Sequence, residues 1–203
     1  MISQPKEFIR AEKNWGIDIN VMRMIAVFSG NFSGGISLFN IDRHAEITFQ
    51  IYYNYYTIFD YYCEDNKFNF SKIPLQQFIL DCHYRRFLGR AQKGFFISGF
   101  IRYANLRGLL QEDLYNYCHY GGEEPKLLPE NKIGVGFGIG YRIFFKNRFY
   151  WGISFSLGRY VSGENNRFYH KWYDPVGPEG FMYPTNDVGG IISFEIFKIG
   201  YAF

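Results

Sequence analysis

The chain has 203 residues and a net charge of +3, and its 23 Phe, 18 Tyr and 22 Gly accompany an ordinary 47% of apolar residues. Because the apolar residues are dispersed, no run approaches the roughly 18 consecutive apolar residues of a membrane helix, and a helical span is excluded. The small net charge and the scattered Lys and Arg argue against a nucleic-acid partner.

The first thirty residues contain charged positions such as Lys6, Glu7 and Arg10 and no apolar core of a signal peptide. This pattern is typical of a cytosolic protein, or of a mature exported protein with an added Met. We find no internal repeat, low-complexity segment or linker, so a single domain is expected at 15–203, preceded by an N-terminal segment at 1–14.

Alternation of apolar residues with polar or small ones is the dominant pattern from residue 15 onwards. In 45–56, for example, Ile47 and Phe49 alternate with Thr48 and Gln50. In the later segments the second face is largely Gly and Ser. Eight strands are predicted, in chain order at 15–22, 34–41, 45–56, 75–88, 94–106, 133–145, 149–160 and 188–203.

One of these segments, 75–88, also fits a short amphipathic helix. Pro74 stands just before it, and apolar positions such as Leu80 and Cys82 alternate with Asp81 and His83. The alternation favours a strand.

The connections between the predicted strands alternate in length. Three are tight and basic, whereas three of the other four are long. The tight connections are 42–44, 90–93 and 146–148, the long ones are 57–74, 107–132 and 161–187, and the remaining short one is 28–33. An up-and-down antiparallel barrel in an outer membrane has this arrangement, with short periplasmic turns and long outer loops. The sequence therefore predicts an all-β fold, an eight-stranded antiparallel up-and-down transmembrane β-barrel.

The residue types assign the two faces of each strand. Phe, Tyr, Trp and Ile from eight strands would overfill a narrow barrel if the apolar face pointed inward. With that face outward, the interior receives Gly, Ser, Thr and a few charges, and strands of about 10 residues match the hydrocarbon thickness. Closure leaves no backbone group unpaired in lipid. We therefore expect an apolar outer face bordered by Tyr and Trp.

The last strand and two longer segments resemble a known family. The ending FEIFKIGYAF resembles the terminal aromatic signature by which the outer-membrane assembly machinery recognises barrel substrates. Segments 78–108 and 131–160 are similar to the small eight-stranded outer-membrane barrels of Bacteroidota, many catalogued only as a domain of unknown function, in which a short turn and a Gly-Phe-Phe restart recur. The resemblance covers about 15–203 and implies a Gram-negative outer-membrane location. The assembly signal that it implies consists of Phe197, Ile199, Tyr201 and Phe203.

Glu195 departs from this pattern, because it shares the parity of Phe197 and would face lipid in a regular strand. A bulge, a partner or a different register is needed to account for it.

Seven charged or titratable residues fall on the inward parity and form the first candidate site. A buried charge must be paired, so the simplest interpretation is an ion-pair network that fixes the register and closes the lumen. The alternative is a path for protons or a small solute. The residues are Glu46, Asp81, His83, Arg85, Arg102, Arg142 and Lys198.

Catalysis is a second alternative, because some small outer-membrane barrels modify lipid A with a Ser/His/acid set. His119 and His170 fall in predicted outer loops, and Ser162 and Glu164 are near His170 in sequence. No nucleophile motif frames them. We therefore expect no catalytic residue, no metal and no cofactor, and we keep a lipid A acyl hydrolase or transferase, or a narrow pore, as the alternative functions.

The predicted loops 53–70 and 164–187 are dense in Tyr, Phe, Trp and Asn, residues that make stiff contact surfaces. They pack on one another and on the membrane surface, or they bind a protein or a glycan. The expected function is structural or binding, as an accessory subunit of a larger envelope complex or as a surface-exposed interaction protein. Its expected partners are outer-membrane lipid including lipopolysaccharide, the assembly machinery and an envelope protein, with the loops extracellular and both termini periplasmic.

The cysteines have no Cys-x-x-Cys or Cys/His spacing, so a zinc site is not expected. The topology places Cys63 and Cys118 in neighbouring outer loops in oxidising surroundings, and Cys82 alone on an outward parity. The sequence therefore predicts a loop disulfide between Cys63 and Cys118, with shielded free thiols as the alternative.

Overall fold

The computed structural model describes residues 14–21, 32–40, 44–58, 73–89, 92–108, 128–145, 148–163 and 190–203. Within these ranges the chain forms eight strands, in agreement with the predicted number. They are β1 (Trp15–Asn20), β2 (Phe32–Asn40), β3 (Ala45–Ile58), β4 (Ile73–Phe87), β5 (Gly94–Gly108), β6 (Leu128–Phe145), β7 (Phe149–Ser162) and β8 (Gly190–Ala202). Among the described residues, no helix has the length and apolarity needed to cross a membrane.

The eight strands form a closed barrel in which each strand pairs antiparallel with its neighbours in sequence. The closing ladder joins β1 to β8, from the pair Gly16 and Ala202 to the pair Asn20 and Lys198. The backbone N–H of Phe203 donates to the carbonyl of Trp15 at 2.9 Å. The prediction of a closed, antiparallel, up-and-down barrel is confirmed.

Two ends of the barrel are distinguished by the connections that meet there. At the first, which we name the turn end, strands are joined through 41–44, 88–93 and 146–148, and β1 begins beside the last residue of β8. At the second, the loop end, they are joined through 21–31, 59–72, 109–127 and 163–189. The connection expected at 28–33 is wrong at its end, because Phe32 and Ser33 belong to β2, and 28–31 lie outside the described residues.

Inward and outward faces alternate as the sequence predicts. On β3, Ile47 and Phe49 are more than 40% exposed, whereas Thr48 and Gln50 are at most 2% exposed. The predicted strand 75–88 is confirmed up to Phe87, where β4 ends, with Leu80 outside and Asp81 inside. Apolar residues cover the outside of every strand, so the outer surface of the barrel is apolar.

Glycine on the inner face of β6 allows large rings to cross the interior. A Cβ at Gly136 would come within 2.5 Å of two ring carbons of Phe100, closer than real side chains approach one another. The alternation of Gly with large outward residues on β6 therefore makes room for aromatic side chains that point inward from neighbouring strands.

The interior is layered along the barrel axis. On β4 the inward side chains run from Ile79 near the loop end through Asp81, His83 and Arg85 to Phe87 at the turn end. A buried apolar cluster lies toward the loop end and includes Tyr52, Ile79, Phe100, Ala104, Leu106, Tyr160 and Ile191. A second, formed by Phe39, Tyr150 and Ala202 with Phe144 packed against it, lies at the turn end. Apolar side chains are thus buried toward both ends of the barrel, on either side of the charged residues of β4.

Candidate functional site

Glu46 is the acid of the charged layer that two arginines share. It is the second residue of β3, near the turn end of the barrel, and its side chain is 1% exposed. Arg142 of β6 donates to its carboxylate through both terminal guanidinium nitrogens, with Nη2 at 2.8 Å from Oε1. Nη1 of Arg85 on β4 lies 3.1 Å from Oε1, and Thr48 Oγ1 donates to the same oxygen at 2.6 Å. One carboxylate therefore connects three strands through charge-assisted hydrogen bonds.

The guanidinium of Arg142 is also surrounded by aromatic rings near the turn end, two of the apolar cluster there and that of Phe87. Its Cζ lies 4.5 Å from the ring centroid of Tyr150, 5.2 Å from that of Phe87 and 5.8 Å from that of Phe39. These separations are within the range of cation–π attraction. The rings thus join the charged layer to the apolar layer that closes the turn end.

Asp81 and Arg102 form a second ion pair, between β4 and β5. Their contact is bidentate, with Arg102 Nε at 2.7 Å from Oδ1 and Nη2 at 2.6 Å from Oδ2. His83 lies beside the pair, its Nε2 at 3.6 Å from Asp81 Oδ2 and its ring 5.2 Å from that of Phe100. Both partners are 1% exposed, so this pair is withdrawn from bulk solvent.

Lys198 holds a third group of charges across the closing ladder. Its Nζ lies 3.1 Å from Asp18 on β1 and 3.7 Å from Glu195 on its own strand. Asp18 also accepts a hydrogen bond from Tyr150 at 3.0 Å. Glu195 Oε2 lies 3.9 Å from Arg85, which connects this group to Glu46.

A β-bulge in β8 explains why Glu195 is inside the barrel. Gly152 pairs with Lys198 and Ser154 with Glu195, so two residues of β8 stand opposite one residue of β7. Phe197 takes a φ of +56°, a left-handed value that bulges use and aromatic residues rarely adopt. The extra residue reverses the parity, so Glu195 is 4% exposed whereas Phe197 is 48% exposed. Of the explanations that the parity of Glu195 left open, a bulge, a partner or a different register, the structure shows the bulge.

All seven residues of the predicted interior site are buried, and the structure brings them into one layer with the partners described above. Sequence reasoning missed Asp18, Glu195 and the pair Glu130 and Lys132, whose charged atoms lie 3.2 Å apart. Asp18 lies between Ile17 and Ile19 in the alternating pattern, so the sequence alone could have predicted that its side chain points inward. Glu130 and Lys132 share the inward parity of Gly134, but β6 was predicted to begin at 133.

The four residues of the predicted assembly signal lie on the outer face at the end of β8. Phe197, Ile199 and Phe203 are exposed and Tyr201 is half-buried. The Phe203 ring stacks on Trp15 at 4.1 Å, and Tyr201 contacts Phe203 edge to face. The signal residues thus cover the seam where the barrel closes.

The loop residues of the other predictions lie outside the described part of the chain. This applies to Cys63 and Cys118 of the disulfide, and to His119, His170 and Glu164 of the catalytic alternative. Cys82 is a free thiol, half-buried on β4.

The described charges of the interior cancel one another. Asp18, Glu46, Asp81, Glu130 and Glu195 face Arg85, Arg102, Lys132, Arg142 and Lys198. Within the described ranges, no group of three or more His, Cys, Asp or Glu is placed to hold a metal ion. Each of these five acids has a positively charged neighbour inside the barrel.

The fold and the interior define the chain as a small closed β-barrel with an apolar exterior and a charge-paired core. Comparisons with protein-family models, with curated proteins and with solved structures find no significant match.

Proposed function

We propose that the chain is an integral outer-membrane barrel with a closed interior and a structural or binding role in the cell envelope. The observation that carries this proposal is the inversion of the usual order of burial. Large apolar side chains such as Phe95 and Phe137 are 66% and 67% exposed, whereas every acidic side chain of the described residues is buried. Such an exterior is unfavourable in water and is matched by lipid.

The height of the apolar surface supports the proposal. On β5 the outward apolar positions extend from Phe95 to Tyr103, and on β7 an uninterrupted run extends from Phe149 to Leu157, followed by Arg159 and Val161. Eight residue steps at about 3.3 Å, tilted by about 40°, give a band roughly 20 Å tall. Polar outward residues follow on β5 at Asn105 and Arg107. An apolar band about 25 Å tall is usual for outer-membrane barrels.

The interior favours a closed barrel over a pore. A conducting lumen needs a continuous polar path, whereas apolar side chains occupy this lumen toward both ends. Charges between them are engaged with one another rather than with a water column. We therefore assign the barrel the role of a membrane anchor, with function carried by the surfaces it presents outside the membrane.

In this proposal the loop end faces the cell exterior, the turn end and both termini face the periplasm, and the assembly machinery recognises the end of β8. The aromatic-rich connections at the loop end then form the contact surface for an envelope protein or a glycan. The barrel serves as an accessory subunit of an envelope complex or as a surface-exposed interaction protein.

The proposal is tested by cell fractionation and by gel migration with and without boiling. We expect the protein in outer membranes, with a heat-modifiable band, and little or no steady conductance in planar bilayers. Phe203→Asp should reduce insertion without reducing synthesis, whereas Phe203→Tyr, which keeps the aromatic ring, should insert normally. Recovery as a detergent-free soluble monomer would contradict the membrane assignment, and a large steady channel would contradict the closed interior.

A further inference from the structure

The described charges are sorted by sign between the inside and the outside of the barrel. All five acidic side chains, Asp18, Glu46, Asp81, Glu130 and Glu195, are buried. Of the ten Lys and Arg side chains in the same ranges, five are buried with these acids. The other five, Arg86, Lys93, Arg107, Arg148 and Arg159, are exposed or half-buried. The described exterior of the barrel therefore carries positive side chains and no negative ones.

Three of the outer cations lie at the turn end of the apolar surface. Arg86 occupies the outward position after Tyr84 on β4, and Lys93 immediately precedes β5. Arg148 immediately precedes β7, and its Nη1 donates to the Tyr201 hydroxyl at 2.8 Å. That hydroxyl orients the guanidinium at the edge of the exposed aromatic residues of the seam.

The other two outer cations lie toward the loop end. Arg159 takes the outward position after Leu157 on β7, and Arg107 is the second outward position after Tyr103 on β5. Between Tyr103 and Arg107, the Asn105 amide and the Tyr103 hydroxyl both donate to Asn131 Oδ1 at 2.8 Å. This polar surface begins on β5 directly after the outward apolar run that ends at Tyr103.

We propose that these five cations bind the phosphate groups of anionic lipids at the two edges of the apolar band. This inference rests on the proposed membrane location. Each cation near a membrane surface attracts anionic lipid. The attraction corresponds to about a fivefold preference for anionic over neutral lipid. Arg also offers a planar set of donors that matches phosphate.

The distribution of the cations favours lipid over an acidic protein. An acidic protein would bind one contiguous basic patch. These cations instead lie at two levels, separated by the apolar residues of β4, β5 and β7. Two levels of phosphate at the borders of a hydrocarbon layer are the geometry that a bilayer presents.

The test is native mass spectrometry of the full chain released from mixed micelles with equal amounts of phosphatidylglycerol and phosphatidylcholine. We expect adducts of the anionic lipid to exceed those of the zwitterionic lipid at least about threefold. Replacing the five residues by Gln should bring the ratio close to one, whereas replacing Arg86, Arg107, Arg148 and Arg159 by Lys, which keeps the charge, should preserve most of the preference.

Two outcomes contradict different statements. Equal binding of the two lipids by the unchanged chain, or an unchanged preference in the Gln variant, overturns the phosphate sites and leaves the membrane proposal standing. Binding of neither lipid, together with failure to float with vesicles, overturns the membrane proposal itself. Two partial variants locate the preference. One replaces Arg107 and Arg159 at the loop end by Gln, and the other replaces Arg86, Lys93 and Arg148 at the turn end by Gln.

Discussion

The Tyr52 hydroxyl donates to Glu195 Oε1 at 2.8 Å, although the two residues are 143 positions apart in the chain. Tyr52 lies on β3 and Glu195 on β8, with the short strands β1 and β2 between them on that side of the barrel. This hydrogen bond crosses the interior and complements the closing ladder between β1 and β8. The charged layer is therefore part of what closes the barrel, in addition to filling it.

The pair of Asp81 and Arg102 should be sensitive to removal of one partner. Arg102→Met leaves the Asp81 carboxylate buried without its arginine partner and with the His83 imidazole 3.6 Å away, so we expect a loss of about 3–5 kcal/mol in the free energy of unfolding. The double variant Asp81→Leu with Arg102→Met should lose much less, because no buried charge is left unpaired. Urea unfolding of the refolded protein in micelles measures both.

Exposed Arg86→Met is the matched control and should change stability by no more than about 0.5 kcal/mol. An Arg102→Met variant as stable as this control would show that the buried pair does not hold the register.

Gly136 should not tolerate a side chain. In Gly136→Ala the new Cβ meets the Leu157 carbonyl oxygen and the Phe100 ring, so we expect a loss of about 1–3 kcal/mol from overpacking. Gly99→Ala on the outer face is the control, since its Cβ would have its nearest neighbour at 3.9 Å. Partial recovery of Gly136→Ala by Phe100→Leu would confirm the cause, and equal stability of the two alanine variants would exclude it.

The bulge in β8 makes a prediction about backbone strain. Phe197→Gly and Phe194→Gly each remove an aromatic ring from the outer face. Of the two residues, Phe197 has a positive φ and Phe194 does not. Because glycine relieves that strain, Phe197→Gly should cost at least about 1 kcal/mol less than Phe194→Gly. Equal losses in thermal or urea unfolding would mean that the bulge stores no strain.

The disulfide between Cys63 and Cys118 stays a prediction and can be tested by alkylation followed by mass measurement. We expect one modifiable thiol after denaturation without reductant, that of Cys82, and three after reduction. Neighbouring loops of a narrow barrel can meet the Cα separation of roughly 4.4–6.8 Å that the bond requires. Three modifiable thiols without reductant would disprove the bond.

Much of this barrel was predictable because inward and outward residues alternate with a period of two. That rule gave the number of strands, the outer face and the inward parity of residues such as Glu46 and Arg142. It did not give the partners, since the pairing of Glu46 with Arg142 depends on how strands distant in sequence meet across the lumen.

Glu195 marks the limit of the same rule. One extra residue in β8 reverses the parity of everything that precedes it, and a Phe at the left-handed position gives no sequence signal comparable to Gly. The partners of Glu195, including Tyr52 and Lys198, were therefore assigned only once the register was known.

The central claim is that the apolar face of the barrel lies in hydrocarbon and the polar face does not. The most direct measurement is quenching of single tryptophans by lipids with brominated acyl chains, in a variant with Trp15, Trp151 and Trp172 replaced by Phe. A tryptophan at outward position 137, introduced as Phe137→Trp, should be strongly quenched in vesicles. One at inward position 100, introduced as Phe100→Trp, should be quenched weakly because the barrel wall separates it from the chains. Equal quenching at the two positions, or none at position 137 in protein that floats with the vesicles, would contradict the account.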